Sequence, residues 1–331
     1  MMSPLSDVKK SLPFLIASVL MAVPALRAAE PDVVRVGTFK FVSAAPAYYM
    51  GVLAPKYNLK LDYQFFTKGA DIIPAVVAGQ VDVATTAVDA AVAARSAGIP
   101  IYVVAGYAKG GLRVVGRPEL NIASVRDLKG KKVGVARGGA QEAVLYALLD
   151  EAGLSYSNNT GKDVQIITMA YTDINQAMMR KDIDAACQPE PQASQSIRLG
   201  FGKEIIKPYQ TMIGEPIRTL LFTEDLYHKR PDVARRLMEC FVEATKFLLE
   251  NPEPAEKFVR EVVFKNQLSH EDYFDSIGNM KWSYDATPAE IDATALAMKK
   301  FGLAKIEGNV KGQDFVKTDL LIEAKKKFGV K

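Results

Sequence analysis

The 331-residue chain is predicted to be an α/β protein with two similar lobes. Short β-rich runs alternate with helical stretches and turns that contain Gly or Asn, which is typical of parallel sheets flanked by helices. In addition, one segment is nearly repeated: ADIIPAVVAGQVDVA at residues 70–84 and TDINQAMMRKDIDAA at residues 172–186. Each reads as a helix followed by an Asp-bearing strand. Chance is the alternative, since Ala, Val and Asp are common, but the repeat favours two lobes built on one plan.

The first 28 residues are predicted to be a signal peptide. Lys9 and Lys10 precede the apolar run LPFLIASVLMAVPAL, and small residues follow in ALRAAEPD. This is the order of a basic region, a hydrophobic region and a cleavage site. A membrane anchor is disfavoured, because a spanning helix needs about 20 apolar residues and this shorter run contains two prolines. We expect cleavage after Ala28 and export of the mature protein to the periplasm.

Composition argues against several classes of function. The net charge of +4 is spread along the chain, and no basic block with interleaved aromatic residues predicts nucleic-acid binding. The two cysteines and two histidines stand far apart, without the spacing of metal ligands or of a nucleophile with its base. We therefore expect no metal, no cofactor and no catalytic residue, and we expect a monomer.

The first lobe is predicted to begin with alternating strands and helices. Residues 59–66 alternate apolar and polar side chains with the period of a strand, and Gly98 closes the last helix of this block. Strands are predicted at 33–37, 59–66, 81–86 and 101–108, and helices at 47–58, 70–79 and 88–98.

The same order returns in the second lobe. Ser124 is predicted to cap a short helix that leads into the first strand of this block. Strands are predicted at 131–136, 163–169 and 184–188, and helices at 124–130, 141–153, 172–182 and 189–200.

From residue 218 onwards helices dominate. A strand is predicted at 218–223, and helices at 230–252, 253–264, 286–302 and 318–329. Leu237, Phe241 and Leu248 recur at helical spacing, so this tail is predicted to pack as a layer over the first sheet. The chain is then predicted to cross between lobes near Gly106 and near Gly214. Residues 29–106 and 215–331 would form lobe 1, and residues 107–214 lobe 2.

Four loops are predicted to line a cleft. Ligands of parallel sheets bind beyond the carboxyl ends of the strands, where helix N-termini attract anionic or polar atoms. The loops are 39–44, 68–69, 85–89 and 137–141. We expect Lys40, Lys68 and Arg137 to hold an acidic group, and Phe39 and Phe41 to stack on the ligand. Solvated loop charges and core packing are the respective alternatives.

The sequence RGGAQEA contains the strongest local feature. Its two glycines permit backbone amides to approach a ligand, although an ordinary tight turn between strand and helix fits equally well. The residues expected to contact a ligand here are Gly138, Gly139, Ala140 and Gln141.

Polar side chains after the two Asp-bearing strands are further candidates. The hydroxyls of Thr85 and Thr86 would bind a ligand or cap the next helix. Glu190 would attract a ligand cation at the edge of the cleft, or would be a helix first-turn acid favoured by the dipole.

Three stretches carry a family resemblance. They are AVVAGQVDVA, LRVVGRPELNIASVRDLKGKKVGVARGGA and RTLLFTEDLYHKRPDVARRLMECFVEATKFLLENPEPA. Together they resemble the nitrate/sulfonate/taurine-binding group of ABC-transporter solute-binding proteins, whose superfamily includes receptors for thiamine pyrimidine precursors. The likeness runs from about residue 33 to about residue 264, and DLKGKKVGV is one of its more specific elements.

The resemblance implies a type II periplasmic binding fold, with two α/β lobes, two hinge crossings and a ligand clamped between the lobes. It also implies which positions contact the ligand. These are Phe39 and Lys40, Thr85 and Thr86, residues 138–141 and Glu190, with Arg218 on the return strand as a further candidate.

The implied function is that of the periplasmic substrate-binding component of an ABC importer, with a membrane permease as partner. The expected ligand is a small organic anion or a zwitterion, sulfonate-like or taurine-like. If Glu190 points into the cleft, a ligand with an amino group fits better than a simple anion. A receptor for an aromatic carboxylate or a thiamine-type aminopyrimidine, a sensing module and an enzyme on the same fold are the alternatives.

Overall fold

The computed structural model describes residues 30–66, 69–306 and 308–331, without the side chains of Gly69 and Ala70. The predicted signal peptide and Lys68 lie outside the described residues. Strands and helices alternate as expected, and the strands form two six-stranded sheets. None of the described helices is long and apolar enough to span a membrane.

The strands are short, and most are rich in Val, Ile, Leu and Ala. In chain order they are β1 Asp32–Thr38, β2 Leu59–Phe65, β3 Val83–Ala87, β4 Ile101–Gly110, β5 Leu112–Gly116, β6 Lys132–Val135, β7 Tyr156–Ser157, β8 Val164–Thr168, β9 Ala185–Pro189, β10 Lys203–Ile206, β11 Ile217–Thr223 and β12 Met280–Trp282.

Helices connect the parallel strands and form the C-terminal part of the chain. They are α1 Ala45–Leu53, α2 Gly69–Val77, α3 Val88–Ser96, α4 Ala140–Glu151, α5 Tyr171–Met179, α6 Gln192–Arg198, α7 Glu224–Lys229, α8 Pro231–Glu250, α9 Pro252–Lys257, α10 His270–Asn279, α11 Pro288–Phe301, α12 Gly312–Phe315 and α13 Asp319–Lys327.

The two sheets share one plan. In the first sheet, with the order β12-β4-β11-β3-β1-β2, β1 is parallel to both β2 and β3, and β11 runs antiparallel to β3. In the second, with the order β10-β5-β9-β6-β8-β7, β6 is parallel to both β8 and β9, and β5 runs antiparallel to β9. The repeated segments form α2 with β3 and α5 with β9, so the repeat reflects equivalent positions in two lobes.

The chain leaves the first sheet later than the sequence indicated. Strand β4 continues past Gly106 to Gly110, and the turn into β5 uses Gly110 and Gly111 at φ of 77° and 75°, a conformation open mainly to glycine. The return lies between the end of β10 and the start of β11, a stretch that contains Gly214. We therefore place the first crossing at Gly110–Gly111.

The C-terminal helices do more than cover the first sheet. Helix α8 packs on α1, and its predicted face (Leu237, Phe241 and Leu248) is buried in the core of lobe 1. Helix α10, which the sequence reading did not predict, packs against α6 of the second lobe. Helix α11 contacts both α3 and α4. The tail therefore bridges the lobes instead of serving lobe 1 alone.

Candidate ligand-binding cleft

A small cavity of about 40 Å³ lies where loops of the two lobes meet. The first lobe contributes residues after β1, residues at and after the end of β3, and one residue of β11. The second lobe contributes residues after β6 and β8 and the last residue of β9. The lining residues are Phe39, Phe41, Ala87, Asp89, Ala90, Ala136, Arg137, Gly138, Gly139, Gln141, Tyr171, Pro189 and Arg218. The carboxyl ends of both sets of parallel strands therefore face one space, as expected for open α/β sheets.

Three aromatic rings form one wall of the cavity. The ring centroids of Phe39 and Phe41 lie 5.0 Å apart in an edge-to-face arrangement, and those of Phe41 and Tyr171 also lie 5.0 Å apart. Both Phe side chains are buried. Because Tyr171 is the first residue of α5, this contact joins the two lobes across the cleft. The wall offers apolar surface and ring faces to a ligand.

Arg218 supplies buried positive charge. It lies on β11, paired with Ala87 of β3, and its side chain is only 5% exposed. Its Nη1 atom has no hydrogen-bond partner among the described residues. A buried donor on a charged group is costly to leave unpaired, so this atom marks where a ligand oxygen would be stabilised.

Asp89 supplies the opposite charge in the same cavity. It lies in the first turn of α3 and is 6% exposed, and its Oδ1 atom has no hydrogen-bond partner within the described part of the chain. Burial raises the pKa of this carboxyl to about 6. The charge of Arg218 and the backbone amides of Asp89 and Ala90 oppose the rise, whereas the charge of Glu142 adds to it.

The two-glycine loop closes the cavity from the second lobe. Gly138 has a φ of +73°, and its N–H donates to Oε2 of Glu142 at 2.8 Å. Gly139 precedes the first residue of α4, and a Cβ placed there would lie 2.8 Å from the Gln141 side chain. Glycine is therefore favoured at position 138 by its conformation, whereas a larger residue at position 139 would require only the end of the Gln141 side chain to move. The loop brings the positive end of α4 towards the cleft.

A larger pocket of about 540 Å³ adjoins this cavity and shares Ala136, Arg137 and Tyr171 with it. Asp71 of α2 and Thr172 of α5 also line it. Burial raises the pKa of Tyr171 to about 12, and the nearby charge of Asp71 adds to the effect. Arg137 and Tyr171 therefore stand between a small inner cavity and a wider outer pocket.

Seven of the thirteen predicted site residues line the inner cavity. They are Phe39, Phe41, Arg137, Gly138, Gly139, Gln141 and Arg218. Of the other six, Lys68 lies outside the described residues. Arg218, a secondary candidate in the sequence reading, supplies the buried cation that had been expected from lysine.

Lys40, Thr85 and Thr86 lie away from the described lining of the cavity. Lys40 is exposed; its Nζ donates to Gln267 at 3.0 Å and lies 5.2 Å from the centroid of the Phe264 ring. The two threonines are fully buried within the first sheet, and their hydroxyls bond those of Thr38 and Thr219 on neighbouring strands. The structure therefore shows surface and cross-strand contacts for these three side chains, and their contact with a ligand stays a prediction. Ala140 is buried as the first residue of α4 and is likewise not part of the described lining.

Glu190 was expected at the edge of the cleft, but its carboxylate is already fully occupied. Its Oε2 accepts from the backbone N–H and the hydroxyl of Ser194 at 3.0 and 2.7 Å. Its Oε1 accepts from Nδ2 of Asn279 at 2.7 Å and lies 2.8 Å from Nε of Arg113. Burial raises the pKa of Glu190, and Arg113, Ser194 and Asn279 oppose the rise. Glu190 therefore joins the second lobe to α10, and its contact with a ligand stays a prediction without support from this geometry.

The sequence reading missed Asp89 and Tyr171 as individual site residues. Asp89 is the only acid in the otherwise small and apolar stretch VDAAVAA, which is typical of a buried helix. Because acids are rarely buried without a partner, this position could have been predicted as a site residue. Tyr171 follows strand β8, and the carboxyl end of this parallel strand is a place where ligands bind, as in the four predicted loops. Among the described residues, no cluster of His, Cys, Asp and Glu side chains could hold a metal ion.

Comparison with solved structures places this architecture among the periplasmic binding proteins. The periplasmic nitrate-binding protein NrtA of Synechocystis superimposes with a TM-score of 0.77 and 16% identity, over 90% of this chain and 89% of that one. The alkanesulfonate-binding protein SsuA of Xanthomonas axonopodis, solved with MOPS, superimposes with a TM-score of 0.71 and 18% identity, over 87% of this chain and 99% of that one. At these identities the likeness shows the fold, and it confirms the predicted fold class.

Sequence relatives and a family model agree with the fold. A Brachyspira hyodysenteriae protein, named as an ABC transporter periplasmic binding protein, is 24% identical over 244 residues, 68% of each chain. A Brucella abortus protein, named as a binding protein, is 26% identical over 208 residues, 60% of each chain. The family model described as NMT1/THI5 like matches residues 55–255, more than half of the chain. The chain belongs to the NMT1/THI5-like family.

Proposed function

We propose that this protein is the periplasmic substrate-binding component of an ABC importer and that it binds a small organic anion or zwitterion, sulfonate-like or taurine-like, between its lobes. The residues that line the cavity offer charge, hydrogen bonds and aromatic surface, which are means of binding. We therefore propose a receptor that delivers its ligand to a membrane permease, and not an enzyme.

The observation that carries the proposal is Arg218 in the lining of the cavity between the lobes, with an Nη1 atom that has no hydrogen-bond partner in the described part of the chain. A sulfonate or carboxylate oxygen placed there would form a charge-assisted hydrogen bond shielded from water. The ligand would also touch the glycine loop and Tyr171 of the other lobe. Because only the ligand would bridge these groups, its binding would favour the closed arrangement over an open one.

A second candidate ligand class is favoured by the wall of Phe39, Phe41 and Tyr171. A wall of three aromatic rings offers ring surface to a planar ligand, so an aromatic carboxylate or a thiamine-type aminopyrimidine is the alternative. The wider outer pocket could hold the remainder of such a ligand. These ligands differ from aliphatic sulfonates in shape, and the same experiment separates them.

The test is native mass spectrometry of the mature protein, followed by a thermal-shift screen of taurine, alkanesulfonates, aromatic carboxylates and aminopyrimidines. A ligand that binds only the folded form raises the melting temperature by mass action. Arg218→Gln should abolish the shift, while Lys40→Gln, which changes a cation directed away from the cavity, should preserve it. No shift with any acid, or an unchanged shift in Arg218→Gln, would contradict the proposal. Gel filtration of the same sample tests the predicted monomer.

A further inference from the structure

Binding of an anion by Arg218 leaves the second buried charge of the cavity unexplained. We propose that Asp89 receives an N–H donor of the ligand, so that the ligand carries an ammonium or similar cationic nitrogen close to its acid group. The ligand would then be a short zwitterion with both charged ends bound to the first lobe. This inference rests on the proposed function and narrows its ligand class.

The positions of the two charged residues limit the separation of the ligand's charges. Arg218 pairs with Ala87 across neighbouring antiparallel strands, where Cα atoms lie about 5 Å apart. Asp89 follows Ala87 by two residues, and both side chains reach the same cavity of about 40 Å³. A ligand that touches both must therefore hold its cationic nitrogen and its acid group on a short carbon chain.

The hydrogen bonds of the neighbouring acid show why Asp89 is the acceptor. Glu142 is also buried near Asp89, but its two oxygens accept from the Gly138 N–H and from the Tyr146 hydroxyl at 2.8 and 3.1 Å. Asp89 keeps one oxygen without a partner among the described residues. Of the two acids, only Asp89 has such an oxygen, and only Asp89 belongs to the described lining of the cavity.

Charge balance points the same way. The buried carboxyl of Asp89 lies near the charges of both Arg218 and the buried Glu142, while Arg137 at the rim is exposed. A simple anion on Arg218 would add a third negative charge to this region, in surroundings where charge is poorly screened. A ligand ammonium group would cancel the added charge and occupy the free oxygen of Asp89. The cavity should therefore discriminate against acids that lack a cationic nitrogen.

The test is calorimetric titration of the mature protein with matched pairs of acids: taurine and isethionate, β-alanine and 3-hydroxypropionate, glycine and glycolate. Each pair exchanges an ammonium for a hydroxyl. In at least one pair the amino acid should bind tenfold or more tightly than its hydroxyl analogue. In Asp89→Asn that ratio should fall to within about twofold, whereas Asp173→Asn, an exposed first-turn acid of α5, should leave it unchanged.

The outcomes separate this inference from the proposed function. Equal affinities within every pair for the unmodified protein would overturn the inference while leaving a receptor for acids. A preference that survives in Asp89→Asn would overturn the assignment to Asp89. If no acid of either kind binds, both proposals fail. The comparison of pairs uses the unmodified protein, so it can still contradict the inference if Asp89→Asn folds poorly.

Discussion

Strands β3 and β9 are preceded by similar aspartates but followed by acids with different surroundings. In each lobe an aspartate precedes the strand and accepts from the backbone N–H of the neighbouring strand: Asp82 from Arg35 at 2.9 Å, and Asp184 from Lys132 at 2.9 Å. Each also bonds one arginine side chain. Beyond the strand, the first lobe has Asp89 and the second has Glu190. Both acids are buried. Glu190 accepts three hydrogen bonds and lies beside the charge of Arg113, whereas Oδ1 of Asp89 has no hydrogen-bond partner among the described residues.

The difference arises from α10, which packs against the second lobe. Asn279 at its end donates to Glu190, and Asp275 pairs with Arg113 at 2.8 Å. Arg198 of α6 bonds Asp272 in the same interface. A buried acid surrounded by donors holds the fold together, and a buried acid left without one in a cavity is a candidate for ligand binding. Repetition of the lobe therefore repeats its structural acids, and the proposed site lies where the two copies differ.

The largest expected effect tests this comparison with two isosteric variants. Glu190→Gln should lower the free energy of unfolding by about 3 kcal/mol. The donors at one oxygen position would then face an amide NH₂, and the buried Arg113 would lose one of its carboxylate partners while keeping Asp275 and Glu204. Urea unfolding measures the loss.

Asp89→Asn is the matched control for that variant. The new amide can turn its NH₂ to the oxygen position that lacks a donor, so stability should change by less than about 1 kcal/mol. Equal losses in the two variants would show that the two acids do not differ in role.

The second prediction concerns pH. Because burial raises the pKa of Asp89 to about 6, the carboxyl is largely protonated at pH 5 and ionised at pH 7. A cationic nitrogen binds the ionised form, so affinity for a zwitterion should be about tenfold weaker at pH 5 than at pH 7. The groups facing Asp89 are Arg218 of β11, Glu142 of α4 and the first-turn amides of α3.

Titration calorimetry from pH 5 to 7.5 measures this dependence, and Asp89→Asn should flatten it. Affinity that rises as the pH falls would contradict the expected sign, because it would mean that protonated Asp89 is the binding form. Taurine is a suitable probe, because its sulfonate does not titrate in this range and a change in affinity then reports on the protein.

The smallest expected effect tests the similarity between the lobes. Asp82→Asn and Asp184→Asn should each lower the free energy of unfolding by about 1 kcal/mol, since each loses a charged acceptor for one arginine and one backbone N–H. The bonds to Arg35 outweigh burial and hold the pKa of Asp82 below its ordinary value, so its stabilising contribution should be lost as the pH falls towards that pKa. Losses of unfolding free energy that differ several-fold between the two variants would contradict the equivalence of Asp82 and Asp184.

Most of the strands and helices were predictable because their causes are local. Period-two alternation, helical spacing and the capping residues act within a few positions. Ser124 and Asp127 form the capping box of the short helix predicted there, which is a 3-10 helix over Val125–Leu128. The buried face of α8 follows from the spacing of Leu237, Phe241 and Leu248 in the same way. Helix α10 was missed because it lies in a polar stretch whose partners, Arg113 and Glu190, come from far along the chain.

The sequence by itself determined the two-lobed α/β plan, the repeat and the loops that meet at the cleft, because hydrophobic periodicity and strand direction follow from neighbouring residues. Only the tertiary structure decided which charges are free in that cleft. Arg218 reaches the cavity through the register of β11 against β3, Lys40 turns away to Gln267, and Glu190 is satisfied by a helix eighty residues later. Whether a polar atom has a partner depends on contacts between distant segments, and spacing along the chain does not encode it.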